Sequence, residues 1–156
     1  MVTLSVTIKI NMSASTKLST AVKAICVLSR NYPKAKSSPE IAENIGINPS
    51  KLRKILSMLV KNGIIKSTKG ISGGFTLNKD SSELHLQEIY CAIEDRKAFF
   101  LDVRKEDVKK NSVPAKLNSY FLELFSDIQV DIEDKMKTIT IKSIIQNINN
   151  KNNKEH

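Results

Sequence analysis

The chain has 156 residues, 40% hydrophobic and 26% charged, with a formal net charge of +9. That length supports one domain, or a small domain with an appendage, and no apolar run approaches the roughly 18 residues of a membrane span. The start, MVTLSVTIKIN, has no signal-peptide pattern and the two cysteines lie far apart, so a cytoplasmic protein without a disulfide scaffold is expected.

The positive charge is concentrated. Residues 1–79 hold 13 Lys/Arg against only Glu40 and Glu43, a net of +11, whereas residues 80–156 carry a net of −2. Such asymmetry points to nucleic acid as the partner of the first half.

Residues 1–11 alternate weakly (Val2, Leu4, Val6, Ile8, Ile10), which fits an edge strand or, more simply, either a loosely held extension or residues upstream of a natural start at Met12. A first long helix is predicted over about Ser15–Arg30. Leu18, Val22, Ile25 and Ser29 share one face, Ala21 and Leu28 flank it, and Tyr32-Pro33 ends it. The next helix opens with Ser38 as N-cap and Pro39 at the first helical position, carries Ile41, Ala42 and Ile45 inward, and stops at Gly46. Asn48-Pro49 repeats the cap-plus-proline start after only a short turn, which is helix-turn-helix spacing.

In that third helix Leu52, Ile55, Leu56 and Leu59 recur at helical spacing and must pack inward. The opposite side carries Ser50, Lys54, Ser57 and Lys61, flanked by Lys51 and Arg53, and Asn62-Gly63 closes the helix. IIKST, KGISGG and FTL then read as strand, loop and strand. The expected fold is therefore mainly α with a small β-hairpin wing, a winged helix-turn-helix that sets one helix in a DNA groove and a hairpin beside it. Base readout is expected from Ser50, Arg53 or Lys54, and phosphate contacts from Lys17, Lys51, Lys61 and Lys66. In the wing, with Ser72 beside them, Gly73 and Gly74 either merely permit a tight hairpin or also let backbone N–H groups approach a phosphate next to Lys69.

Leu86, Ile89, Tyr90 and Ile93 predict a further helix over about 85–95, followed by a charged, irregular segment over 96–114. From Pro114 a long helix carries Leu117, Phe121, Leu124, Ile128, Ile132 and Met136 at steps of three and four, widened by Tyr120, Phe125 and Val130. It is too apolar to stay solvated, so it is expected to bury itself against a second copy and make a homodimer. Residues from Thr138 predict a short terminal helix folding back, and the low-complexity tail 147–156 is expected to be disordered. The chain thus divides into an extension (1–11), a DNA-binding domain (12–80), a dimerisation and sensing region (81–146) and a tail.

Cys26 and Cys91 each fit a small buried hydrophobe or a thiol switch. Lys23 and Arg30 flank Cys26 by one turn and would lower its pKa, while Glu88 and Glu94 flank Cys91 and would raise it. Cys26 is therefore the better candidate for a reactive thiol, with Cys91 as its resolving partner. His85 and His156 share no ligand spacing with other residues, so no metal site is expected. No catalytic constellation stands out, and Asp102, Glu106 and Asp107 read as a charged surface run, so an enzyme is not expected.

Taken together, STKLSTAV, SPEIAENIGINPSKLRKILSMLVKNGII, STKGISGGFTL, LHLQEIYCAIE and TITIKSII resemble the Rrf-type (Rrf-two) winged-helix repressors over about residues 13–146. That family includes the iron–sulfur regulators IscR and NsrR and the cysteine-metabolism repressor CymR. Its wing pattern is approximately R-G-x-x-G-G-[YF]-x-L, and this chain has Lys69 in place of the arginine. The resemblance implies a homodimeric repressor of a palindromic double-stranded DNA operator. Cluster-binding members carry three cysteines after the helix corresponding to 85–95, where this chain has none between Asp95 and Lys116. No iron–sulfur cofactor is expected, and the chain looks closest to the cluster-free YwnA-like branch, responding to thiol oxidation or to a small ligand. The rival reading is a winged-helix module that binds protein rather than DNA.

Overall fold

The computed structural model describes residues 13–94 and 112–154, with backbone alone at 13–15. The extension 1–11, most of the charged segment 96–114 with Asp102, Glu106 and Asp107, and His156 lie outside the described residues. In chain order the elements are α1 (Ser13–Asn31), α2 (Ser38–Ile45), α3 (Pro49–Lys61), β1 (Ile65–Thr68), β2 (Gly74–Leu77), α4 (Leu86–Ile93), α5 (Val113–Lys137) and α6 (Ile141–Asn152).

The short helices begin and end on identifiable groups. The α2 cap is Ser37, not the expected Ser38. Its hydroxyl accepts from the Glu40 N–H at 3.4 Å while the Glu40 carboxylate accepts from the Ser37 N–H at 2.8 Å. A cap at Ser38 would put Ile41 in the reciprocal position, and an isoleucine has nothing with which to accept. Gly46, at φ +66, ends α2 by donating to the Ala42 and Glu43 carbonyls, and Asn48 opens α3 by accepting from the Ser50 N–H at 2.8 Å.

This capping box has a pH signature. The Ser37 backbone N–H and hydroxyl, with the Lys36 ammonium 3.2 Å away, hold the Glu40 carboxyl down at about 2, against an ordinary 4.5. A folded-state pKa below the unfolded value stabilises the fold above about pH 4.5 and loses that contribution as pH falls towards 2. The unfolding midpoint of the wild type should drop through that window more steeply than that of Glu40→Gln. An NMR titration placing Glu40 near 4.5 would contradict the box.

The core joins Ala21, Ala24, Ile25 and Leu28 of α1 to Ile41 and Ala42 of α2 and to Leu52, Ile55, Leu56 and Leu59 of α3. β1 and β2 pair antiparallel, with Ile65 opposite Leu77 and Thr68 opposite Gly74. A third segment completes this sheet, because Lys36 and Phe75 exchange both backbone bonds, at 3.0 and 2.8 Å. The wing is thus tied to the residues just ahead of the α2 cap.

A second bridge joins the two halves. The Leu86 N–H donates to the Ile139 carbonyl at 2.8 Å and the Ile141 N–H to that of Leu84 at 2.9 Å, so α6 starts beside α4 with Leu84 and Ile141 fully buried. α6 then runs to Asn152, so the expected disordered tail is helical through that residue. Its start is fixed by the Thr140 cap, and Ile144 and Ile145 pack on the core. Arg30 of α1 also donates to the Asn149 side chain at 3.4 Å. These anchors outweigh the polar composition.

α5 contrasts with the rest, since none of its 25 residues is buried. Its C-terminal part leans on α4, where Gln129 donates to the Tyr90 hydroxyl at 3.2 Å and Ile128, Ile132 and Met136 are half-buried. Towards its N-terminus Leu117 and Tyr120 are 50% and 60% exposed, with Phe121 and Leu122 also open.

Candidate nucleic-acid interface

α3 separates its two faces as the spacing demands. With Leu52, Leu56 and Leu59 turned into the core, Ser50, Lys51, Arg53, Lys54, Ser57 and Lys61 are all exposed. Lys66 on β1 and Lys69 and Ser72 in the wing loop are exposed as well. Among the described residues, no ion pair engages Lys51, Arg53, Lys54, Lys61, Lys66 or Lys69. No acidic side chain stands in the first turn of α3, so its partly positive N-terminus adds to the lysines. The outcome is an uncompensated cationic surface on a rigid helix, with the cationic hairpin as a second arm.

Lys17 lies at the edge of this surface. Burial pushes the Glu94 carboxyl up, and the Lys17 charge opposes that shift, which brings the start of α1 close to the end of α4. Lys17 also lines a cavity of about 690 Å³ together with Lys51 and Lys54, between α1 and α3. This cavity was not legible in the sequence, because it forms where two separate helices diverge. Ile71 was also missed; it stands entirely exposed at the wing tip after Gly70.

The wing glycines have a backbone reason. Gly74 sits at φ +143, and a Cβ there would lie 2.6 Å from the Lys36 carbonyl carbon. A Cβ on Gly73 would lie 2.3 Å from the Thr68 carbonyl oxygen. Both glycines are needed for hairpin closure and for the Lys36–Phe75 pairing, whatever they do at DNA. Gly74→Ala should cost about 3 kcal/mol, from the left-handed φ plus the clash, read as a lower thermal midpoint. A variant melting with the wild type would show that the Lys36 segment yields freely.

The thiols depart from expectation. Burial pushes the Cys26 thiol up, and the Arg30 charge only partly offsets this, so the predicted lowering by Lys23 and Arg30 is corrected. The helical spacing identified the neighbouring charges but not the desolvation that outweighs them. Cys91 is half-buried on α4 and accepts from the Gln87 amide at 3.2 Å. His85 faces Glu88 with its Nδ1 at 3.5 Å, and Lys79 pairs with the same carboxylate. Among the described residues, no group of three His, Cys, Asp or Glu side chains is placed to hold a metal, and no helix is long and apolar enough to cross a membrane.

Comparison with known proteins gives the chain's family and fold. A family model described as Rrf2, iron-dependent transcriptional regulator, matches residues 14–147. YffB of Lactococcus lactis is 39% identical over 41% of this chain and 41% of its own length. YwnA of Bacillus subtilis is 25% identical over 86% of this chain and 98% of its own. Both carry provisional names as HTH-type transcriptional regulators. The chain therefore spans less than two thirds of YffB but nearly all of YwnA. The solved structure of T. potens IscR superposes with a TM-score of 0.63 at 20% identity, covering 85% of each chain, and carries the fold comparison alone. With the match running from α1 into α6, the chain belongs to the Rrf2 family of transcriptional regulators.

Proposed function

We propose that this protein is a homodimeric repressor that binds a palindromic double-stranded DNA operator and releases it in response to a small ligand. The observation that carries the reading is the cationic face of α3, free of ion pairs among the described residues and flanked by the basic wing. Ser50, Arg53 and Lys54 would read base edges, and Lys51, Lys61, Lys66, Lys69 and Lys17 would hold phosphates. The wing loop at Ser72, Gly73 and Gly74 would lie along the same DNA backbone, with the Gly73 N–H already donating to the Gly70 carbonyl at 3.0 Å. Leu117, Phe121, Leu124, Ile128 and Ile132 of α5 would form the dimer interface, of which Leu117 and Phe121 are the openly exposed members.

The donor set does not fit an iron–sulfur cluster. Two cysteines stand on different helices, one of them with its thiol pushed up by burial, and the chain has no third. We therefore infer a cluster-free regulator despite the family's iron-dependent description. The same raised thiol makes Cys26 a poor nucleophile, which favours a ligand over thiol oxidation as the signal.

Selection of bound sequences from a random DNA pool tests the reading. The expected product is an inverted repeat with half-sites about one helical turn apart, or a multiple of that. Recovery of no enriched sequence, with the protein instead captured by another polypeptide, would favour a winged-helix interaction module.

A further inference from the structure

The cavity between α1 and α3 has the chemistry of a ligand site as well as a rim of lysines suited to phosphate. Its floor is apolar: Ile47 from the α2–α3 turn, Met58, which is 38% exposed, and Ile55, the one core residue of α3 with residual exposure, at 7%. Its rim carries three ammonium groups, Lys17 from α1 and Lys51 and Lys54 from α3. A phosphate group needs only the rim and leaves the apolar floor without a partner. At about 690 Å³ the cavity falls within the ordinary range for small-molecule sites.

We propose that this cavity binds an amphipathic small-molecule anion, a medium-chain or aryl carboxylate, with its charge on the lysine rim and its apolar body on the floor. This deepens the repressor reading and rests on it for its consequence. Lys51 and Lys54 cannot serve the ligand carboxylate and the operator at once, so occupancy weakens DNA binding and, by linkage, operator weakens ligand binding equally.

The test uses the full-length protein and two probes. The aromatic anion 8-anilinonaphthalene-1-sulfonate reports binding by fluorescence, and sodium octanoate competes with it. The expected result is saturable binding at one site per chain, displaced by octanoate and not by inorganic phosphate at equal ionic strength. Two variants from opposite walls address the site without touching the DNA-reading residues: Thr20→Trp fills the cavity from α1, and Met58→Gln removes its apolar floor from α3. Each should weaken both probes at least tenfold, and a melting curve on each identifies a folded variant, either of which suffices. Probe binding unchanged in a folded variant, or displacement by phosphate as effective as by octanoate, overturns the site. On selected operator DNA, saturating octanoate should lower affinity about tenfold for the wild type and not for Thr20→Trp. Intact probe binding with unchanged operator affinity overturns the coupling, whereas a protein that binds the probe but no DNA sequence overturns the repressor reading and leaves the site standing.

Discussion

Replacing Leu117 and Phe121 together by glutamate should convert the protein to a monomer and remove high-affinity operator binding, although both residues stand far along the chain from α3. Leu117 is 50% and Phe121 38% exposed, so neither substitution empties a packed core in the subunit itself. Tyr120, Phe121 and Phe125 line the same stretch, with ring centroids 6.0 and 6.1 Å apart in successive pairs. A stable dimer needs on the order of 1,000 Å² of buried surface or more, and two copies of such a helix can supply it. Four carboxylates driven into that interface should raise the dimer dissociation constant by more than 100-fold, about 3 kcal/mol. Sedimentation should show a monomer with unchanged helical content by circular dichroism. The operator affinity should fall by a similar or larger factor, because two half-sites bound by linked subunits gain an effective concentration that separate monomers lack. A double variant that still sediments as a dimer would move the interface away from the N-terminal half of α5.

The second large effect is ionic. Lys17, Lys51, Lys61, Lys66 and Lys69 in each subunit give about ten phosphate contacts per dimer, so operator affinity should fall by roughly 10³–10⁵ between 50 and 200 mM salt. Lys51→Ala should weaken binding to every sequence and flatten the logarithmic salt slope by about one per subunit. Arg53→Ala and Lys54→Ala should instead relax preference at particular base pairs, each by about 1–3 kcal/mol. Fluorescence anisotropy across a salt series, on the selected operator and on single-base variants of it, separates the two kinds of contact. Identical, sequence-blind losses in all three variants would mean that α3 holds the backbone and reads nothing.

What the sequence made legible was the local part of the fold. Gly46, Asn48-Pro49 and the leucines of α3 act within a few residues of themselves, so their spacing carried the helix-turn-helix and its buried face correctly. The α2 cap slipped by one residue because two adjacent serines differ only in what stands three positions later. Longer-range terms were hidden. The pairing of Lys36 with Phe75 and of Leu84–Leu86 with Ile139–Ile141 joins segments with no shared periodicity. The extension of α6 to Asn152 depends on Thr140 and on packing from α1, which an asparagine-rich composition does not announce. The setting of Cys26 depends on how deeply α1 is covered, and the cavity on where α1 and α3 part. The candidate site was therefore readable as a list of cations, but not as a surface with a recess in it.

The bridge between Leu84–Leu86 and Ile139–Ile141 gives α5 the mechanics of a cantilever. Its C-terminal end is clamped to the reading head at the common start of α4 and α6, while its N-terminal half reaches out uncovered among the described residues. A helix of 25 residues is about 37 Å long, so turning it by about 5° at the clamp sweeps its far end by roughly 3 Å. In a dimer joined at the far ends, the same rotation is felt in reverse, as a change in the distance between the two α3 helices. Thr138 and Ile139 are then gearing positions, at which substitution should alter the preferred half-site spacing while leaving the affinity of each half-site alone.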